Sequence, residues 1–383
     1  MTDSRHTAVP SRGAVGLFAG LTLLGFGAFV VQAAGEQPAR AWQAYLINFL
    51  LWSAVAQGGL LFSIVMHLTK ARWSRSMQRL AESFAAFFPL SLVLFLILYL
   101  GKVHLFPWLH GEVHGLERWL GVPFLFARNF AGLLVLYGLG LAYTFYARRL
   151  REASGGAPEA ERWRGRMTVL SVLYLLAYSL VLTLLAFDLV MSMEPPWYST
   201  LFGAYAFAKA FYLGLLALLV LAGLYHIAWK EESGLTSAQF HDVGKLLFAF
   251  CLVWADFFYV QLLVIWYGNM SEETRYVIQR TMLLPWKALA WTVFIMSFVI
   301  PFLVLLNRRV KERPAFMVLL CLFVLVGLWL EHLLLVGPAL NPRSTALPLG
   351  LPDLLITLGF LGLMAFAVTL FLRRFPDSSV GRS

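Results

Sequence analysis

An all-α integral membrane protein of about ten transmembrane helices is the architecture this sequence predicts, on three observations. Of its 383 residues 60% are hydrophobic and only 13% charged, against roughly a quarter charged in soluble domains. Apolar runs of about 20 residues, the length that crosses a hydrocarbon core as a helix, recur along the whole chain. Lysines and arginines gather in alternate connections between those runs, which is the signature of membrane topology. The net charge of +10 therefore reflects topology and not a basic face for nucleic acid.

The runs fall at 14–34, 41–68, 81–103, 122–147, 167–192, 200–229, 240–267, 282–306, 315–337 and 350–372. Several exceed the minimum spanning length, which allows tilt or extension into the headgroups. No connection is long enough for a soluble domain. The first run follows a basic start and ends Val31-Gln32-Ala33-Ala34, like a signal peptide, but its length predicts a retained helix. Segment 151–162 is the most linker-like stretch. Spans two to five and six to nine start on the same side with matching parity, an arrangement open to a parallel structural repeat.

Orientation follows from charge. Twenty of the 30 lysines and arginines fall on the side of the N-terminus, with Arg148, Arg149, Arg151, Arg162, Arg164 and Arg166 between spans four and five. Six fall on the other side: Arg40, Lys102, Arg118, Arg275, Arg280 and Arg343. By the positive-inside rule both termini are expected in the cytoplasm. Cys251 and Cys321 lie inside apolar runs, so no disulfide framework, attached haem or iron–sulfur cluster is expected.

Polar residues inside the spans are unevenly distributed. Asp188, Lys209, Asp256, Lys287, Glu331, His332 and Asp353 all fall in the half away from the termini, with Glu194 in the loop beyond Asp188. The other half holds His67, His226, His241, Asp242 and Lys245, all near its surface. At about 1.5 Å per residue, Lys209 lies roughly 13 Å below the outer surface and Asp256 at similar depth. Intramembrane charges must pair or face water, so the expected pairs are Lys209–Asp256 and Lys287–Glu331. Tyr205, Lys209 and Tyr212 share one helix face at i, i+4 and i+7, a face suited to a proton path or a quinone-sized slot. The bland readings are end-capping or snorkelling for Asp188, Lys287 and Asp353, a structural ion pair for Lys209 and Asp256, and an interfacial belt for Trp and Tyr at span ends. His67 and His226 are too shallow for b-type haem ligation.

Stretch 241–274 carries the most specific motif: His241-Asp242-Val243-Gly244-Lys245-Leu246-Leu247-Phe248, Trp254, Gln261, Ile265-Trp266-Tyr267-Gly268-Asn269 and Glu272-Glu273-Thr274. With Phe187 to Pro195, Trp197 to Gly203, and Trp329-Leu330-Glu331-His332 before Pro338, it resembles the ActF subunit family of alternative complex III, a bacterial quinol:electron-acceptor oxidoreductase. Asp256 stands where that family usually has an aromatic residue, Val260 replaces a serine, Ser271 a proline and Glu331 an aspartate.

The resemblance implies an NrfD-like fold, related to polysulfide reductase membrane subunits. It divides the chain into a cytoplasmic N-terminus (1–13), a peripheral first helix (14–40), a four-helix bundle (41–192), a second one (193–337), and a last helix with a cytoplasmic tail (338–383). It further implies a bacterial cytoplasmic-membrane subunit without haem or cluster of its own. Its partners would be a homologous NrfD-like quinol-binding subunit, an iron–sulfur subunit, multihaem cytochrome c subunits, small membrane subunits and lipid. The family is credited with a proton path or a second quinone (or menaquinone) site. The residues expected for the path are Asp188, Glu194, Tyr205, Lys209, Asp256, Lys287, Glu331 and His332; for quinone, Trp254, Gln261, Trp266 and Tyr267. Alternatives are the quinol-binding anchor of a polysulfide- or nitrite-reductase-type enzyme, a stand-alone secondary transporter, and a purely structural subunit.

Overall fold

A computed structural model describes residues 11–71, 73–110, 115–152 and 158–375. The structure is 86% helical, with no strand among the described residues. Ten helices are long and apolar enough to cross a membrane, as in a multi-pass membrane protein. They are α1 (Arg12–Ala33), α2 (Pro38–Leu68), α3 (Arg75–Leu105), α4 (Val122–Glu152), α5 (Glu159–Met193), α6 (Leu201–Ser233), α7 (Ser237–Gly268), α8 (Trp286–Leu306), α9 (Pro314–Leu340) and α10 (Leu351–Arg374). Each contains nearly all of one apolar run.

The differences from the runs lie at the helix ends. α4 and α5 continue past the apolar residues through Arg148, Arg149 and Arg151 on one side and Glu159 and Glu161 on the other. Arginine and glutamate are good helix formers in water, and glutamates in a first turn suit the helix dipole. The expected linker 151–162 is thereby shortened: its two ends are helical, and 153–157 lie outside the described residues. So do Arg5, Arg72 and Arg382, and with them part of the basic N-terminal segment and tail. A short helix, Ser271–Thr281, between α7 and α8 was not expected.

The most buried helices, α2 and α6, cross at the centre. A Cβ on Gly58 would lie 1.9 Å from the Ala210 carbonyl oxygen, and one on Gly214 2.1 Å from the Gly58 carbonyl carbon. Small residues let helix backbones touch in lipid, where dispersion replaces the hydrophobic drive. The peripheral pair α1 and α10 uses the same device at Gly25 and Gly359. Asp353 caps α10 through the Gly350 N–H at 2.8 Å and also binds Arg40 at 2.6 Å, tying α10 to the start of α2.

Proline sets the local irregularities. Pro89 follows a 3-10 turn in α3, and Pro301 follows a π-turn, Ile295–Val299, in α8. Pro301 has no N–H to offer the Ser297 carbonyl one turn back. That carbonyl accepts instead from the Tyr212 hydroxyl at 3.2 Å and the Cys251 thiol at 3.7 Å. Cys251 and Cys321 are both free and buried.

Candidate functional site: a buried ion pair between two cavities

Glu331 on α9 is fully buried and accepts three hydrogen bonds from two helices, α6 and α7. The Tyr205 hydroxyl and the Lys209 ammonium, the latter at 3.1 Å, donate to its Oε1. Trp254 Nε1 donates to Oε2 at 3.2 Å. The i, i+4 spacing on α6 places Tyr205 and Lys209 on one side of the carboxylate, while Tyr212, a turn further on, is tied to Ser297.

This pairing corrects the sequence expectation. Lys209 binds Glu331, not Asp256. On α7, Trp254 points inward, and two residues turn a helix by about 200°, so Asp256 faces outward and is exposed. Lys287, expected to reach Glu331, is exposed at the second residue of α8 beside buried Trp286. Glu331 lies nine residues inside the far end of α9, about 14 Å deeper at helical rise.

Two small cavities flank the pair. The first, about 60 Å³, lies among α2, α5, α6 and α9, with Ser53, Gln57, Lys209 and His332 as its polar lining. The second, about 50 Å³, is lined by Tyr205, Gln261, Tyr276, Arg280 and Glu331 with apolar neighbours. Each is room for a few waters, far below the roughly 300–1,000 Å³ of pockets that hold drug-sized ligands. Gln57 Oε1 is buried without a partner, and an orphan acceptor on a cavity wall is a place for ordered water. His332 Nδ1 lies 2.8 Å from the Leu328 carbonyl. A carbonyl can only accept, so the proton sits on Nδ1 and Nε2 is the acceptor.

Hydrogen bonds lead from the first cavity into the other half of the chain. Gln57 donates to Tyr137 at 2.9 Å, Tyr137 and Ser91 share a bond at 2.7 Å, and Ser91 and Ser53 another at 2.7 Å. Nearer the arginine-rich ends, buried Glu82 takes both arms of Arg151, at 2.9 and 2.5 Å, and the Ser63 hydroxyl at 3.3 Å. Ser63 also bonds Tyr143 at 3.1 Å. Glu82 was missed in the sequence, although it stands inside an apolar run, because it was absorbed into the basic connection beside it.

The other predicted residues are placed apart from the pair. Asp188 is fully buried, and its two oxygens take the Arg128 fork at 2.7 and 2.5 Å and the Asn129 amide at 2.5 Å. It is an interior ion pair, not a snorkelling side chain. Glu194 binds Arg280 at 2.6 Å. Arg280, counted in the sequence as an outer loop charge, is buried with its guanidinium 3.6 Å from the Tyr276 ring centroid. Tyr276 stacks on Trp197 at 3.7 Å. Burial pushes the Tyr276 hydroxyl up to about 12 against the opposing Arg280 charge, so it stays neutral.

The four expected quinone residues do not converge. Trp254 is turned to Glu331, Gln261 borders the second cavity, and Trp266 and Tyr267 are 75% and 87% exposed. The last two have the exposure of belt residues. His67 lies 3.2 Å from the Thr168 hydroxyl and His226 3.1 Å from that of Ser233. Among the described residues no group of three or more His, Cys, Asp or Glu is placed to hold a metal. No protein-family model matches the chain, and no curated protein matches its sequence.

Proposed function

We propose that this chain is a proton-conducting membrane subunit of the ActF type, within a quinol:electron-acceptor oxidoreductase of the alternative complex III class. One observation carries the proton reading: the Lys209–Glu331 pair separates two water-sized cavities, with Lys209 and His332 on one and Glu331 and Tyr205 on the other. In this reading both termini are cytoplasmic in a bacterial inner membrane, and spans two to five and six to nine form two four-helix bundles. Quinol is oxidised in a homologous sister subunit, and electrons leave through iron–sulfur and multihaem cytochrome c partners. The sequence motifs support the assignment, and the cavity volumes favour water and protons over a second quinone here.

The chemistry follows from the bonds. The ammonium and two neutral donors stabilise Glu331 as a carboxylate. A proton arriving through water in the first cavity meets His332 Nε2 and Lys209, and the Lys209 bond carries it on to the Glu331 carboxylate. Protonating Glu331 cancels its attraction to Lys209 and frees the group toward the second cavity, where Gln261, Arg280 and Tyr276 continue the lining. The Lys209 charge then favours release, which resets the pair. Among the described residues neither charge has a second ion-pair partner, so a single proton changes the state of the pair.

The test uses the purified complex in proteoliposomes with an internal pH dye. Glu331→Gln is expected to keep quinol oxidation and to cut proton movement about tenfold or more, each 1.4 kcal/mol being a factor of ten in rate. Unchanged proton movement with intact assembly sinks the path. Purification without cytochrome or iron–sulfur partners sinks the assignment and leaves a transporter.

A further inference from the structure

Asp256 is unlike the other acids that lie deep in the spans, away from the helix ends. Asp188, Glu82 and Glu331 are buried and paired, and Asp353 is buried as a cap. Asp256 is exposed, and no hydrogen bond or ion pair within the described residues reaches it. It lies 12 residues before the Gly268 end of α7, about 18 Å along the helix. Its short side chain cannot snorkel that distance, and a lone intramembrane carboxylate demands a partner.

Its surroundings on α7 form a seam. Ala249, Leu252, Asp256, Tyr259, Leu263 and Trp266 are all exposed, with spacings alternating between three and four residues. That 3.5-residue period is the one by which a second helix packs along a first at about 20°.

A second copy of this chain does not supply the partner. A two-fold axis between copies in a membrane runs along its normal and preserves depth. Phe258 meets Phe294 at 6.4 Å between ring centroids, which sets the relative level of α7 and α8. Lys287, the exposed lysine on that neighbouring helix, then lies about 13 Å from the level of Asp256.

We propose that this seam docks one transmembrane helix of a different protein, carrying a lysine or arginine at the depth of Asp256. The charge deficit fixes the partner's chemistry and the seam fixes its form. This inference stands without the proton-path reading.

The test is photo-cross-linking in native membranes from the producing cell, with benzoylphenylalanine replacing Tyr259 and, as a control, Leu176, another exposed apolar position. The expected result is one adduct from position 259 whose linked peptide, by mass spectrometry, spans the membrane and contains lysine or arginine. Asp256→Asn is expected to reduce that adduct about tenfold, the scale of one lost intramembrane polar contact, with the melting temperature of the isolated chain unchanged. Asp256→Lys combined with an acidic replacement of the partner's base is expected to restore it. An adduct to lipid only, to a second copy, to a helix lacking a base, or one indifferent to Asp256→Asn overturns the proposal.

Discussion

Asp188 with Arg128 and Glu331 with Lys209 are two buried ion pairs in different parts of the molecule, and they are built differently. Asp188 is closed: a two-armed guanidinium and an amide fill its oxygens, Trp119 covers Arg128 at 3.8 Å, and neither cavity described above touches it. Glu331 is open: it holds its cation through a single 3.1 Å bond, borders the second cavity itself, and its partner Lys209 borders the first. Burial alone marks both acids, so burial alone does not mark a working site. Each acid accepts three hydrogen bonds, so adjacent room, and one bond to the cation instead of two, are what separate them.

The largest expected effects break the closed pair. Asp188→Ala strands the Arg128 charge and should cost about 3–5 kcal/mol, seen as loss of folded protein in detergent melting. Replacing both members, Arg128→Leu with Asp188→Leu, should restore most of that stability and leave proton movement intact. If the double replacement abolishes proton movement, the two pairs are not different in kind.

The open pair should respond in the opposite way. Lys209→Met with Glu331→Leu removes both charges and is expected to melt at or above the parent, since an apolar replacement of a buried pair is often neutral or stabilising by about 1–4 kcal/mol. Proton movement should be lost all the same. Retained flux in a well-folded double replacement would falsify the functional reading of this pair. Tyr205→Phe sharpens the contrast. It removes one hydrogen bond to a charged group, about 1.5–3 kcal/mol, and should slow proton movement without unfolding the chain.

The smallest effects belong to the exit of α7. Trp266→Ala and Tyr267→Ala alter exposed side chains without hydrogen-bond partners among the described residues, so stability should stay within about 0.5 kcal/mol and proton movement should not change. A larger loss of either would place them in the site after all, and parallel melting and flux assays decide it.

The ten helices were legible because length and apolarity alone determine a span. Glu331 and Lys209 stood out among the expected path residues because charge inside lipid is rare, and Tyr205 because it shares a helix face with Lys209. Their pairing was not legible. A helix apolar on every side gives no hydrophobic stripe from which to read its rotation, and α7 is such a helix. Inward Trp254 and outward Asp256, two residues apart, therefore looked alike. Asp188 was visible as an acid, but its saturation by Arg128 and Asn129 depends on how α4 packs against α5. Gln57 and Tyr137 gave no signal, because uncharged polar residues scattered in apolar runs are ordinary.

The glycine contact between α2 and α6 also fixes where motion can go. Lys209 is five residues from Gly214 along α6, about 8 Å. A rocking of α6 by about 10° around that contact shifts Lys209 by little more than 1 Å, whereas the Leu201 end, thirteen residues away, shifts by more than 3 Å. The ion pair thus sits near the fulcrum and the loop carrying Glu194 near the tip of the lever. Under such a rocking the bond that holds the charge would stay almost still while the Leu201 end of α6 moved.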